Sequence, residues 1–201
     1  MKYKKKDYKT WNKSQKQKFL KVAQEHQELD RFIQWKWLQD EKIKWKFKGC
    51  FYWCMTQTDD NTLKKATEVM WLPAWIVYVS EKIFEWLPRK EALKFPLELL
   101  EKIPTWIDTY PLWKDWNYTI LMDKKHGQYI YCWDNEECKE AVKKCAELFK
   151  TDFTESAARS AAWSAESARS TAWSAAESAR SAAIEHYYIW LRDTLYTLLE
   201  R

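Results

Sequence analysis

The cysteines and histidines are the residues of this chain whose side chains could bind a metal ion or attack a substrate. Cys50 and Cys54 are four residues apart, so they could share one face of a helix, and His126 or Cys132 could join them around zinc. No C-x-x-C pair and no H-E-x-x-H motif accompanies them, and the three histidines are far apart in the sequence. We therefore expect no metal and no cofactor, and we interpret Cys50 and Cys54, the candidate metal ligands, as buried thiols.

Catalytic motifs that depend on glycine are missing as well. Gly49 and Gly127 are the two glycines of the chain, so neither a phosphate-binding loop nor a nucleophile elbow can be written. The neighbouring Asp59 and Asp60 precede a predicted helix, and we interpret them as its N-cap rather than as catalytic carboxylates. We predict that the protein is not an enzyme, and an enzyme with an unrecognised site remains an alternative.

The cysteine count and the hydropathy pattern indicate the cellular compartment in which the protein is expected. Five cysteines without a compact disulfide pattern are typical of a reducing environment, so we expect free thiols and a cytoplasmic protein. No apolar segment follows the lysine-rich start, as a secretory signal would require. The longest apolar stretch, residues 70–79, contains Pro73 and is shorter than the ~20 residues of a membrane span, so we expect no membrane partner.

Positive charge is concentrated at the N-terminus. Residues 1–21 contain nine lysines and one aspartate, and the rest of the chain has a small excess of acidic residues, for a net charge of +5. Such a segment can contact phosphates, and Tyr3, Tyr8 and Trp11 could stack on bases. Nucleic-acid binding is therefore an alternative function, through Lys4, Lys5, Lys6, Lys9 and Lys13. The other interpretation is a solvated basic tail over residues 1–13.

Hydrophobic periodicity and proline positions predict a mainly α fold, with a helical domain that contains at most a short β-hairpin. Predicted helices cover about residues 14–34, 62–70, 73–86, 88–102, 111–123 and 136–150. Pro96 should kink or split the helix in which it falls. Alternation of apolar residues with lysines predicts a strand at 43–48, and residues 129–132 are a second strand candidate.

Residues 154–201 contain neither glycine nor proline and are rich in alanine, so we predict one helix about 70 Å long. At 100° per residue, alanines form one strip that would let another helix approach closely. The strip contains Ala157, Ala161, Ala165, Ala168, Ala172, Ala175, Ala179 and Ala183. Beyond it the apolar face changes side, which predicts that the last turns dock on the domain or on a second chain.

This organisation predicts three parts: a basic tail at 1–13, a helical domain at 14–152, and a long helix at 153–201 that packs on the domain or on another chain. The favoured function is a non-enzymatic interaction protein whose alanine strip binds a protein partner or a second copy, giving a homo-oligomer. The alternative for the long helix is a solitary solvated helix held by its own propensity.

Four short segments and the Ser/Ala-rich C-terminus carry a resemblance to a known family. The segments are residues 49–54 (GCFYWC), 72–75 (LPAW), 83–88 (IFEWLP) and 103–108 (IPTWID). From about residue 30 onward the chain resembles an uncharacterised family of phage and bacterial proteins. The resemblance implies the same organisation and a phage or mobile-element setting, and it implies no activity, because none is attached to that family.

The chain departs from this family where the family has glycine and this sequence has tryptophan. The positions are 53, 86 and 106, together with 35, 45, 71 and 133. The chain has 15 tryptophans and 2 glycines, whereas glycine ordinarily makes up ~7% of residues. Positions 71 and 86 are predicted helix ends, where the left-handed conformation of glycine is useful. We hypothesise that UGA codons read as glycine have been translated as tryptophan, which UGG codons at these positions would refute.

Overall fold

The computed structural model describes residues 8–35, 38–39, 48–57, 63–132, 134–151 and 180–201, and within these ranges the chain is mainly α-helical, as predicted. The helices are α1 (Lys13–Glu28), α2 (Phe51–Thr56), α3 (Leu63–Met70), α4 (Ala74–Trp86), α5 (Arg89–Lys102), α6 (Tyr110–Met122), α7 (Glu136–Lys150) and α8 (Arg180–Leu199). A 3-10 helix (Gln128–Cys132) lies between α6 and α7. Two short strands, β1 (Leu38–Gln39) and β2 (Lys48–Gly49), pair antiparallel.

Side-chain caps and prolines explain where several helices begin. Asn12 and Gln15 form a capping box at the start of α1, in which each side chain accepts the backbone N–H of the other residue at 2.8 Å. Asn135 caps α7 by accepting the Cys138 N–H at 2.9 Å. Prolines stand directly before α4 and α5, where the missing N–H costs no hydrogen bond.

Three local predictions differ from the structure. The first helix ends at Glu28 rather than near residue 34, because Asp30 adopts a left-handed φ of 48° that turns the chain away. The helix α5 is not split at Pro96, which is buried together with Leu99 and Leu100, so packing offsets the lost hydrogen bond. The strand proposed at 129–132 is wrong, since those residues belong to the 3-10 helix.

The strand predicted at 43–48 lies mostly outside the described residues, and Lys48 belongs to β2. The segment that follows α1 lies beside β2, because the Ile33 N–H donates to the Gly49 carbonyl and the Gly49 N–H to the Arg31 carbonyl, both at 2.9 Å. These backbone bonds fix the position of the loop that enters α2.

Contacts divide the described chain into two compact units. The first unit comprises residues 8–109 and 191–201, and the second comprises residues 110–190. Aromatic rings fill the core of the first unit, where Phe51 lies 6.2 Å from Phe84 and 6.5 Å from Phe95 between ring centroids. In the second unit α6 packs on α7 around a smaller core, whose buried residues are Leu121, Cys132, Val142, Cys145 and Ala146.

A disulfide joins the 3-10 helix to α7 in the second unit. Cys132 and Cys138 are bonded, with their Cα atoms 5.5 Å apart, while Cys50, Cys54 and Cys145 are free and buried. The expectation of five free thiols is therefore wrong for two of them. The spacing of the two cysteines did not reveal this pairing. The pairing depends on where α7 begins, which the Asn135 cap sets, and this start places Cys138 beside Cys132.

Candidate functional site

A group of polar side chains lies in the core of the first unit, between α2 and α4. The hydroxyls of Tyr52 and Ser80 are 2.5 Å apart, and both side chains are fully buried. The Ser80 hydroxyl donates to the Ile76 carbonyl at 2.5 Å, so the Tyr52 phenol is the donor to Ser80. The Cys50 thiol and the Glu81 carboxyl group lie close enough for each to shift the pKa of the other. We call Cys50, Tyr52, Ser80 and Glu81 the buried polar cluster.

The Glu81 carboxyl group holds a proton at neutral pH. Burial raises its pKa from 4.5 to about 8, and the negative charge of Glu85 on the next helical turn adds to the shift. Its Oε2 atom is buried and has no hydrogen-bond partner among the described residues. Burial also raises the pKa of Glu85, whose carboxylate accepts the Trp35 N–H. The cluster therefore carries a neutral acid.

Cys50, the N-cap of α2, and Cys54 within it are poor nucleophiles. Burial, followed by the charge of Glu81, raises the pKa of Cys50 well above its usual value. Burial also raises the pKa of Cys54 to about 12, and its thiol donates to the Gly49 carbonyl at 3.5 Å. Attack on a substrate requires the thiolate, which these pKa values disfavour at neutral pH.

The structure brings Cys50 and Cys54 onto one turn of α2 but places no further ligand set around them. Within the described ranges, no three His, Cys, Asp or Glu side chains are close enough to share a metal ion. Cys132, proposed as a third ligand, is bonded to Cys138, and His126 contacts Trp190 at 5.1 Å between ring centroids. The described residues therefore provide no zinc site around these thiols.

His26 is a buried core residue. Its side chain is 3% exposed, and the ring lies 6.0 Å from that of Phe32. Burial and then the charge of Arg31 lower its pKa from 6.5 to about 4, so the imidazole is neutral at neutral pH. The Nε2 atom of His26 lies 3.4 Å from Nε2 of Gln57, and Gln57 is the C-cap residue of α2.

A cleft of about 440 Å³ opens between the start of α6 and the end of α7 in the second unit. It is lined by Tyr110, Pro111, Lys114, Asp115, Tyr118, Phe149 and Lys150. Lys150 Nζ lies 4.3 Å from the Tyr118 ring and 3.0 Å from the Glu147 carboxylate. Lys114 Nζ donates to the Thr151 carbonyl at 3.2 Å. Because both lysines are already engaged, the cleft presents an aromatic wall more than a cationic site.

The C-terminal part of α8 packs on α5 within the first unit. Leu195, Leu198 and Leu199 are fully buried, and the Tyr196 ring stacks on Phe95 with centroids 6.0 Å apart. We call residues 191–199 the α8 anchor. Burial of three leucines and a stacked aromatic ring stabilises this contact through the hydrophobic effect.

Polar contacts fix the register of the α8 anchor on α5. The Arg192 guanidinium pairs with the Glu91 carboxylate, and the Tyr196 hydroxyl donates to the Glu98 carboxylate at 3.2 Å. Burial and the nearby Glu98 charge raise the pKa of Tyr196, so the phenol stays protonated and remains the donor. These contacts tie one face of α8 to one face of α5.

The residues predicted to bind a partner are described only in part. The alanine strip from Ala157 to Ala179 lies outside the described residues, as do Lys4, Lys5 and Lys6. Lys9 and Lys13 are described and exposed. Lys9 forms a backbone bridge with Asp108, and Lys13 is the first residue of α1. The structure therefore fixes two of the five predicted lysines to the first unit.

Sequence reasoning missed the buried polar cluster. Two acidic residues, Glu81 and Glu85, stand one helical turn apart in the predicted helix 73–86, which is otherwise largely apolar. A carboxylate on an apolar helix is seldom buried without a reason, so this spacing was an available signal. The hydrogen bond between Tyr52 and Ser80 had no such signal, because the two residues are 28 positions apart.

No helix in the described ranges combines the length and the apolar character that crossing a membrane requires. Comparison with protein-family models, with curated proteins and with solved structures finds no match to this chain.

Proposed function

We propose that this chain is a non-enzymatic helical interaction protein, in a phage or mobile-element setting, whose Ala/Ser-rich segment binds a protein partner or a second copy. The observation that carries the proposal is the α8 anchor. Tyr196 and Arg192 hold the C-terminal end of α8 on α5, so the segment leading into α8 starts from a fixed base. A fixed base lowers the entropy that the segment loses when it binds.

The chemistry of the described residues also favours binding over catalysis. The thiols of Cys50 and Cys54 are protonated at neutral pH, and Glu81 is neutral. The buried polar cluster therefore supplies no activated nucleophile. The alanine strip, by contrast, is a small-residue surface of the kind that close helix packing uses.

Glutamate substitutions on two sides of the segment test the proposal. Ala165→Glu and Ala172→Glu place charges within the alanine strip, where a packed helix would have to bury them. Ser170→Glu and Ser174→Glu are matched controls, since at 100° per residue they lie on the side away from the strip. Light scattering gives the molar mass of each variant.

We expect the native chain to self-associate, or to bind a purified partner, with the alanine variants losing this association and the serine variants keeping it. A loss of at least tenfold in affinity is expected for a buried charge in a helix contact, about 1.4 kcal/mol. Equal association of all four variants would contradict the proposal, as would a monomer whose binding survives deletion of residues 154–179.

A further inference from the structure

Three tryptophans of the described chain have a backbone conformation that tryptophan rarely adopts. The φ angles of Trp35, Trp71 and Trp106 are 66°, 55° and 63°, within the left-handed region. In that region the Cβ atom of an L-residue crowds the following carbonyl oxygen, whereas glycine has no Cβ atom. These three positions therefore favour glycine on steric grounds.

The side chains at these positions gain little burial that would offset the strain, and the Trp35 ring makes one edge-to-face contact, with Trp86 at 4.4 Å between centroids. Trp35, Trp71 and Trp106 are 60%, 59% and 66% exposed. Every described tryptophan with an ordinary φ is buried or half-buried; Trp75, for example, is 9% exposed and donates its indole N–H to Thr109 Oγ1 at 2.9 Å. The described tryptophans thus form two classes, and exposure coincides with the left-handed backbone in each case.

The fold fixes the backbone at the three positions through contacts that do not involve the indole rings. Trp71 directly follows α3, and both of its neighbours in the chain are buried. The Trp106 N–H donates to the Trp11 carbonyl at 3.0 Å, and the Trp35 N–H donates to the Glu85 carboxylate. Since main-chain bonds and buried neighbours set the φ angles, a residue without a Cβ atom would keep the same conformation without strain.

The distribution of glycine and tryptophan points the same way. Five non-glycine residues of the described chain have a positive φ, and three of them are tryptophan. Tryptophan makes up 15 of 201 residues, so an even distribution would place fewer than one among these five. Neither Gly49 nor Gly127 has a positive φ. Glycine, the residue best suited to left-handed turns, is thus absent from these turns.

We infer that residues 35, 71 and 106 are glycine in the protein as its own cell makes it. The tryptophans stand there because UGA, which differs from the tryptophan codon UGG only in its third base, is read as glycine in that cell. Trp53 and Trp86 have ordinary φ angles, so the inference does not extend to them. The three exposed indole rings are therefore no part of a docking surface for a partner.

Mass spectrometry of the protein purified from its own cells tests the inference directly. Cleavage after lysine gives peptide 66–82, in which position 75 is an internal reference for position 71. We expect glycine at 71 and tryptophan at 75, and glycine at 106 in peptide 103–114. Tryptophan at both 71 and 106, or UGG codons there, would overturn the inference.

Unfolding in urea tests the physical reason with recombinant variants. Trp71→Gly and Trp106→Gly should fold with an equilibrium constant about fivefold higher than Trp71→Ala and Trp106→Ala. The alanine variants are matched controls, because they remove the same indole ring but keep a Cβ atom. Equal constants for the glycine and alanine variants would overturn the steric argument. Trp75→Gly should lower the constant, since Trp75 is buried.

Discussion

Burial shifts two titratable side chains of the first unit in opposite directions. It raises the pKa of Glu81 to about 8 and lowers the pKa of His26 to about 4. Both groups are therefore neutral in the folded protein at neutral pH, because the core disfavours the charged form of either one. Their effects on stability have opposite signs, and each can be measured separately.

The Glu81→Gln variant should lose less stability than the native chain as the pH rises. The unfolded pKa is 4.5 and the folded pKa about 8, so between these values the folded protein holds an extra proton and loses stability as the pH rises. The contribution is at most about 1.4 kcal/mol per pH unit. Urea unfolding across this window measures the slope. An unchanged slope in the variant would show that Glu81 is not the proton carrier.

His26→Gln should reduce the sensitivity of the fold to acid. The pKa of His26 is 6.5 in the unfolded chain and about 4 in the folded chain. The unfolded chain therefore binds a proton more readily, and stability is lost as the pH falls through this range. The melting temperature of the variant should therefore fall less than that of the native chain between these pH values. A parallel decline in both proteins would contradict the assignment of a buried, neutral imidazole.

At the scale of the helices, local signals in the sequence predicted both ends of most helices to within one residue, and the end of α1 is the exception. The prolines before α4 and α5 and the cap before α7 are local features, and those helices begin where they were expected. The end of α1 depends on the turn at Asp30, which no periodicity shows. The short helix α2 was missed because five of its six residues are buried, which leaves no polar face to reveal a helical period.

Leu195→Ala should destabilise the first unit by about 2–5 kcal/mol, because it removes a fully buried side chain from the α8 anchor. Thr197→Ala changes an exposed residue of the same helix and should stay within about 0.5 kcal/mol of the native chain. Urea unfolding measures both. Similar values for the two variants would mean that α8 adds little to the core.

Reduction of the Cys132–Cys138 disulfide should destabilise the second unit by about 2 kcal/mol, since the bond closes a short loop in the unfolded chain. Hydrogen exchange of the α7 amides, with and without reductant, measures the effect. Cys138→Ser should abolish the response to reductant, whereas Cys145→Ser should retain it because Cys145 is a free thiol. Equal protection with and without reductant would contradict the expected stabilisation.

At the scale of the whole chain, the first unit is assembled from residues 8–109 and residues 191–201. The contact that closes it joins Tyr196 to Glu98, 98 positions apart. The change of apolar face near Ala183 predicted that the last turns would dock on something. It did not identify α5, because a single sequence shows no long-range pairing.

A chain that ends at residue 190 should expose the apolar surface of α5, which the α8 anchor otherwise covers. We expect increased binding of a hydrophobic dye and faster hydrogen exchange in α5. A chain that ends at residue 199 is the control, since it loses the exposed residues Glu200 and Arg201 together with the surface ion pair between Lys102 and Glu200. Equal dye binding by both truncations would show that the anchor is dispensable.

The order of synthesis gives the α8 anchor a further consequence. A ribosome that adds roughly 5–20 residues per second needs several seconds to pass from the end of the first stretch, near residue 109, to residue 191. Throughout that interval the side of α5 that receives Tyr196 is uncovered in the nascent chain. The N-terminal unit therefore stays incomplete until translation passes the anchor, and the apolar side of α5 makes the nascent chain prone to aggregation during that time.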